Sequence, residues 1–155
     1  MRTLVMGALL VAGQLGQLDA PPKAVKHRVT YVAEAQTVAA GKLGVLEVRF
    51  RVDEGFHVNS HTPKSDLQIP TALELGSASG VKVTAAEYPA GKEYSFSFDP
   101  SEKLDVYSDS FVVRVPIVAV AGQHELKGEL KYQACDKAAC YPPRTLPVDV
   151  VFAAK

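Results

Sequence analysis

The sequence predicts an all-β protein built as an antiparallel β-sandwich. Apolar and polar residues alternate with period two over several short segments, and clusters of turn-forming residues separate those segments at regular intervals. No stretch carries a long helical period. About seven or eight short strands with such spacing point to two packed sheets.

The segments are taken in chain order. "HRVTYVAE" is a first short strand. "VLEVRFRVD" places Leu46, Val48, Phe50 and Val52 on one face and Glu47, Arg49, Arg51 and Asp53 on the other. That is the pattern of a half-buried strand, and the Asp53-Glu54-Gly55 sequence after it reads as a solvated turn. "TALEL" and "VKVTAAEY" follow as short strands. Tyr88 to Asp109 reads as the longest irregular stretch, rich in aromatics and turn formers. Long loops in compact domains are often functional, but an ordinary surface crossover fits the same composition. "FVVRVPIVAV" is apolar on both faces and suggests a central strand, yet Pro116 lacks an N–H and calls for an edge position or a bulge. "HELKGELKYQ" sets Leu126, Leu130 and Tyr132 against Lys127, Glu129 and Lys131. "TLPVDVVF" is the last strand.

The chain has 155 residues, which suits one domain with its own core. Lys+Arg and Asp+Glu are both 17, so the formal net charge is zero. Nucleic acid is therefore not expected as a partner, since phosphate binding needs a basic surplus. Residues 1–20, "MRTLVMGALLVAGQLGQLDA", read as a secretory signal: Arg2, an apolar run from Leu4 to Ala12, and Leu18-Asp19-Ala20 as a cleavage site. The run falls short of the about 20 apolar residues of a membrane span. Residues 21–155 are then expected as a single soluble domain in the periplasm or otherwise exported, where disulfides persist.

Both cysteines lie in "YQACDKAACYPP", with Asp136 to Ala139 between them. A four-residue loop can close a β-hairpin, which would set Cys135 and Cys140 opposite each other. Non-hydrogen-bonded antiparallel partners have Cα atoms about 4.5 Å apart. A disulfide accepts roughly 4.4–6.8 Å, so a bond is feasible but strained. If the alternation of Leu130 and Tyr132 continues, Ala134 faces inward and Cys135 outward, unless the strand bulges first. Cys140 shares the parity of Leu146, Val148, Val150 and Phe152, so the alternation must slip between them, at Pro142-Pro143. As a staple the pair is weak: closing about six residues removes roughly 2 kcal/mol of chain entropy. Asp136 and Lys137 flank the pair with opposite charges, and neither direction of thiol pKa follows. The spacing is not that of a thioredoxin motif. Redox exchange, a structural disulfide in a binding or adhesion module, and a metal carrier all remain open. For metal, His57 and His61 are candidates, but such spacing shares a face only on a helix. No phosphate loop, nucleophile elbow or Ca²⁺ loop is present.

"KYQACDKAACYPPRTLPVDVVF" resembles the end of the N-terminal periplasmic domain of the thiol:disulfide interchange protein DsbD. "DEGFHVNSHTP" and "LDVYSDSFVVRVPI" resemble upstream parts of that domain, and the likeness spans about residues 28–152. The resemblance implies an immunoglobulin-like sandwich with a redox-active disulfide at one end, working as a protein-disulfide reductase-type relay without a bound cofactor. It implies that Cys140 forms mixed disulfides and Cys135 resolves them. It implies an aromatic-tipped cap loop within Lys92 to Glu102, with Phe96 or Phe98 at its tip. His57 and Asn59 fall where a family member carries tyrosines, and Tyr132 and Tyr141 belong to the surroundings of the pair. The cysteine interval is one residue shorter than in that member, and the acidic pair of its cap loop has no clear counterpart, although Glu93 and Asp99 are near. The implied partners are a thioredoxin-like redox domain and a membrane electron-transfer protein supplied by a separate chain.

Overall fold

A computed structural model describes residues 26–155; the export signal expected over residues 1–20 lies outside them. Twelve strands follow one another: β1 (Val29–Val32), β2 (Gln36–Val38), β3 (Leu43–Val52), β4 (His57–Asn59), β5 (Ala72–Leu75), β6 (Val81–Val83), β7 (Lys92–Phe96), β8 (Asp99–Tyr107), β9 (Ser110–Ala119), β10 (Gly122–Tyr132), β11 (Ala134–Cys135) and β12 (Arg144–Ala154). They form three four-stranded sheets, ordered β1-β3-β9-β6, β2-β12-β10-β5 and β11-β4-β8-β7. All pairings are antiparallel except that of β2 with β12. Among the described residues no helix is long and apolar enough to cross a membrane.

Alternation builds the first two sheets as expected. Leu46, Val48, Phe50 and Val52 of β3 are buried, as are Leu126, Leu130 and Tyr132 of β10. They join Phe111, Val113, Val115 and Ile117 of β9 and Val148, Val150 and Phe152 of β12 in one apolar cluster between the sheets. The rings of Phe50 and Phe111 stack at 5.1 Å. Removing that apolar surface from water is the main stabilising term.

One local expectation is met at Pro116 and one is corrected. Pro116 sits in β9, an interior strand, in unbroken register with Val45 of β3. Its ring nitrogen faces the other side, where β6 has already ended at Val83. There Thr84 donates both its backbone N–H and its hydroxyl to the Pro116 carbonyl, each at 3.0 Å. The next bridge along, Glu87 with Arg114, sets the three residues 84–86 against the two residues 115–116. The facing segment therefore bulges opposite Pro116, and the missing N–H falls at that bulge, as expected. The stretch read as irregular is largely the β7–β8 hairpin, with a register shift between Tyr94 and Phe96. The second half of β8 alternates, burying Leu104 and Val106; the polar first half hid that signal.

The third sheet sits at one end of the sandwich, and chain continuity puts it there. β3 leads into β4 through a turn closed by Phe56 N–H to the Asp53 carbonyl, with Gly55 at positive φ. β8 leads into β9 through Asp109, whose carbonyl accepts the Val52 N–H at 2.8 Å. β10 leads into β11 through Gln133. At that residue the chain leaves one sheet and joins another.

Candidate functional site

The switch at Gln133 decides where the sulfurs lie. β11 pairs with β4, Ala134 opposite Val58 and Cys135 opposite His57. Val58 and Ala134 face the main apolar cluster. Alternation then turns His57, Cys135 and Asn59 to the other face. That face is also covered: the His57 ring lies 4.0 Å from that of Tyr94 and 6.1 Å from that of Phe96. Phe96, Leu104 and Val106 form a second small cluster with Tyr94 against it. Cys135 is therefore fully buried, at 0% exposure. The alternation holds, with Ala134 towards the core and Cys135 on the opposite face; what differs from expectation is that this face is not open to solvent, because the β7–β8 hairpin covers it.

Cys135 and Cys140 are bonded, with Cα atoms 3.9 Å apart, and form an antiparallel bridge across the four-residue loop. Cys140 is exposed. It borders a cavity of about 280 Å³ shared with Phe96, Leu67, Gln68, Asn59 and Gln133. The alternation break expected at Pro142-Pro143 is present, since residues 141–143 lie outside any strand and β12 begins at Arg144.

The loop is held by its own side chains. Asp136 N–H donates to the Ala139 carbonyl at 2.9 Å, and Tyr141 N–H to the Ala134 carbonyl at 2.8 Å. The Asp136 carboxylate accepts N–H bonds from Ala138 and Ala139 and the Tyr141 hydroxyl at 2.7 Å. Those bonds, led by that of Tyr141, lower the Asp136 pKa from 3.8 to about 2 and raise that of Tyr141. Tyr141 packs on Phe56, over which the Arg28 guanidinium sits at 4.2 Å. Asn59 donates its side-chain amide to Gln133 Oε1 and to the Ile69 carbonyl, and Gln133 donates to the Tyr141 carbonyl. Asn59 thus fixes the base of the hairpin.

A pH prediction follows from Asp136. Its folded pKa lies below its unfolded value, so its stabilisation is complete above 3.8 and lost as pH falls towards about 2. The difference in urea midpoint between the native protein and Asp136→Asn should be constant near neutrality and shrink through that window. A difference that ignores pH there would show that the carboxylate does not order the loop.

The aromatic residues expected as a cover divide. Phe98 lies in the two-residue turn joining β7 to β8 and is 67% exposed, while Phe96 ends β7 and is 7% exposed. Their rings stack at 4.9 Å. The tip is Phe98, and Phe96 is the ring at the cysteine cavity. Tyr132 lies in the main core with its hydroxyl accepting the Arg28 N–H at 3.3 Å. His57 and His61 do not converge: His61 stacks on Tyr88 at 3.6 Å with Nδ1 at 2.9 Å from the Thr71 carbonyl. Among the described residues no group of three or more His, Cys, Asp or Glu is placed to hold a metal ion. Sequence reasoning missed Leu67 and Gln68 beside Cys140; nothing local marks them, because the long β4–β5 connection brings them there.

The fold and the bond together define a two-layer β-sandwich of immunoglobulin-like type, carrying one disulfide at the end closed by a third sheet. Residues 22–151 match the family described as "Thiol:disulfide interchange protein DsbD, N-terminal", and the chain belongs to that family. Among solved structures, the N-terminal periplasmic domain of ScsB from Proteus mirabilis aligns with a TM-score of 0.53 at 10% identity, over 79% of this chain and 44% of that one. The reduced DsbD N-terminal domain of Neisseria meningitidis aligns at 0.46 and 21% identity, over 70% of this chain and 81% of that one. The same organism's DsbD N-terminal domain in complex with the PilB N-terminal domain aligns at 0.46 and 22% identity, over 68% and 73%. None of the curated proteins compared with the chain matches it.

Proposed function

We propose that residues 21–155 form a single periplasmic domain, exported by a signal at residues 1–20, that relays electrons by thiol–disulfide exchange. The Cys135–Cys140 pair cycles between dithiol and disulfide. Electrons arrive from a thioredoxin-like protein or domain fed by a membrane partner on a separate chain, and leave to exported substrate proteins. One observation carries this reading: of two bonded sulfur residues, Cys140 is exposed and Cys135 is sealed. Exchange proceeds by a thiolate attacking an accessible sulfur. That asymmetry makes Cys140 the sulfur that takes the foreign partner and Cys135 the resolving one. Phe96, Phe98, Tyr94 and His57 shield the pair from one side, while Asn59, Tyr132 and Tyr141 hold the hairpin.

The burial of Cys135 also suits the alternative, a binding module with a structural disulfide. The reduction potential separates the two. Structural disulfides lie below about −300 mV, and exchanging ones above it. Equilibration with a thiol buffer of known potential, read by alkylation and mass, should place this pair above that limit. A value well below it would leave the bond a staple and the relay reading wrong.

A further inference from the structure

A buried titratable group next to the sulfurs has no evident structural task. His57 is 4% exposed and stands directly opposite Cys135. Opposed residues of an antiparallel pair share a face, with Cβ atoms about 4.5–5.5 Å apart. The imidazole therefore lies on the face of the Cys135 sulfur, packed against Tyr94. Among the described residues no donor or acceptor reaches its Nε2. A buried polar atom left unpaired costs free energy, and such atoms in native proteins commonly have a function.

The groups around the ring narrow that function. β7 contributes Tyr94 and the apolar Phe96. β8 contributes the apolar Leu104 and Val106, which cluster with Phe96 and Tyr94, while its Tyr107, opposite Val58, faces the main core instead. β11 contributes Cys135, followed by Asp136, whose carboxylate is engaged by Tyr141, Ala138 and Ala139. Once the disulfide is reduced, Cys135 is the neighbour that gives up a proton most readily, since a thiol is a stronger acid than a phenol such as that of Tyr94. Its sulfur needs that help, because a thiol buried in apolar surroundings resists ionisation.

We propose that neutral His57 takes the proton of the reduced Cys135 thiol and so drives the closing half of the exchange. This rests on the relay reading above and deepens it. In the first half the Cys140 thiolate attacks one sulfur of a substrate disulfide, that bond breaks, and the other substrate sulfur leaves as a thiolate. In the second half Cys135 passes its proton to His57 Nε2, and its sulfur attacks Cys140 Sγ. The bond between Cys140 and the substrate breaks, and the substrate sulfur leaves with the electron pair and takes up the proton from the imidazolium. The cysteine pair is oxidised by two electrons and the substrate disulfide reduced by two. In reverse, the imidazolium returns the proton to the departing Cys135 thiolate. Burial, opposed by the charge of Asp136, holds the His57 pKa below 6.5, which keeps the ring neutral and able to accept.

The test uses the reduced protein and dithiobis(nitrobenzoate) as oxidant. The first coloured thiolate reports attack by Cys140, and the second reports ring closure by Cys135. The native closure rate should fall as pH drops below 6.5 through the His57 ionisation. In His57→Gln the ratio of second to first release should fall about tenfold near neutral pH, because an unassisted thiol is only a few per cent ionised there. Its profile should rise only with thiol ionisation. The native profile decides the matter even if the variant does not fold: a single thiol ionisation with no lower step overturns the proposal. A His57→Gln ratio within about twofold of native at every pH overturns it as well, and leaves the relay intact. A native protein that never closes its ring loses both.

Discussion

Cys140→Ser should abolish mixed-disulfide formation with a thioredoxin-like protein, whereas Cys135→Ser should trap it. An incoming thiolate must approach a sulfur in line with the bond it breaks. Cys140 lies at the surface beside an open cavity, and Cys135 lies under the β7–β8 hairpin with no exposed area. Serine at position 140 leaves only a sulfur that a protein-sized partner does not reach. Serine at position 135 leaves the adduct on Cys140 with nothing to resolve it. Both variants should remain folded. Opening a ring of about six residues forfeits roughly 2 kcal/mol, against about 5–15 kcal/mol for a typical domain. The buried hydroxyl of Cys135→Ser costs about 1–3 kcal/mol more unless it finds a partner. Intact mass after mixing with the partner reads the adduct, and urea unfolding reads the fold. An adduct on Cys135 in the Cys140→Ser variant would reverse the assigned roles. Two variants that both unfold would make the bond a staple.

The sequence carried the sandwich through its most regular strands. Leu46, Val48 and Phe50 alternate with charged residues, and so do Leu126 and Leu130, because each of those strands buries one face along its whole length. The β7–β8 hairpin was not legible for the opposite reason. The residues of β8 from Asp99 to Lys103 are not buried, so polar and turn-forming residues are tolerated within a strand. Pro116 marked a bulge, which falls in the segment after β6 that faces it and not in β9 itself. The cysteine hairpin and its opposed pair were legible from their spacing. The burial of Cys135 was not legible, since it depends on Gln133 handing the chain from β10 to a strand that pairs with β4. Nothing near residue 133 encodes the position of Val58, about 75 residues earlier. The unpaired nitrogen of His57 became visible for the same reason, only once that register was known.

Tyr132→Ala should be the most damaging single change to the fold, lowering stability by about 3–5 kcal/mol, the usual cost of deleting a buried aromatic ring. Tyr132 is fully buried at the end of β10, one residue before the sheet switch. Its hydroxyl accepts the Arg28 N–H and lies 3.2 Å from Nδ1 of His27, so it also ties the first described residues to the cysteine end. Tyr132→Phe keeps the ring and loses only that link, for a cost of about 1 kcal/mol. The comparison separates packing from hydrogen bonding, with urea midpoints as the readout. The effect should also reach the sulfurs. The Cys135 hairpin is anchored on one side by Asn59 and Gln133 and on the other by the chain leaving Tyr132. With a cavity where the ring stood, local opening becomes easier, and alkylation of reduced Cys135 should quicken more than that of Cys140. If Tyr132→Ala unfolds no more readily than Tyr132→Phe, the ring does not brace the switch, and Cys135 owes its burial to the β7–β8 cover alone.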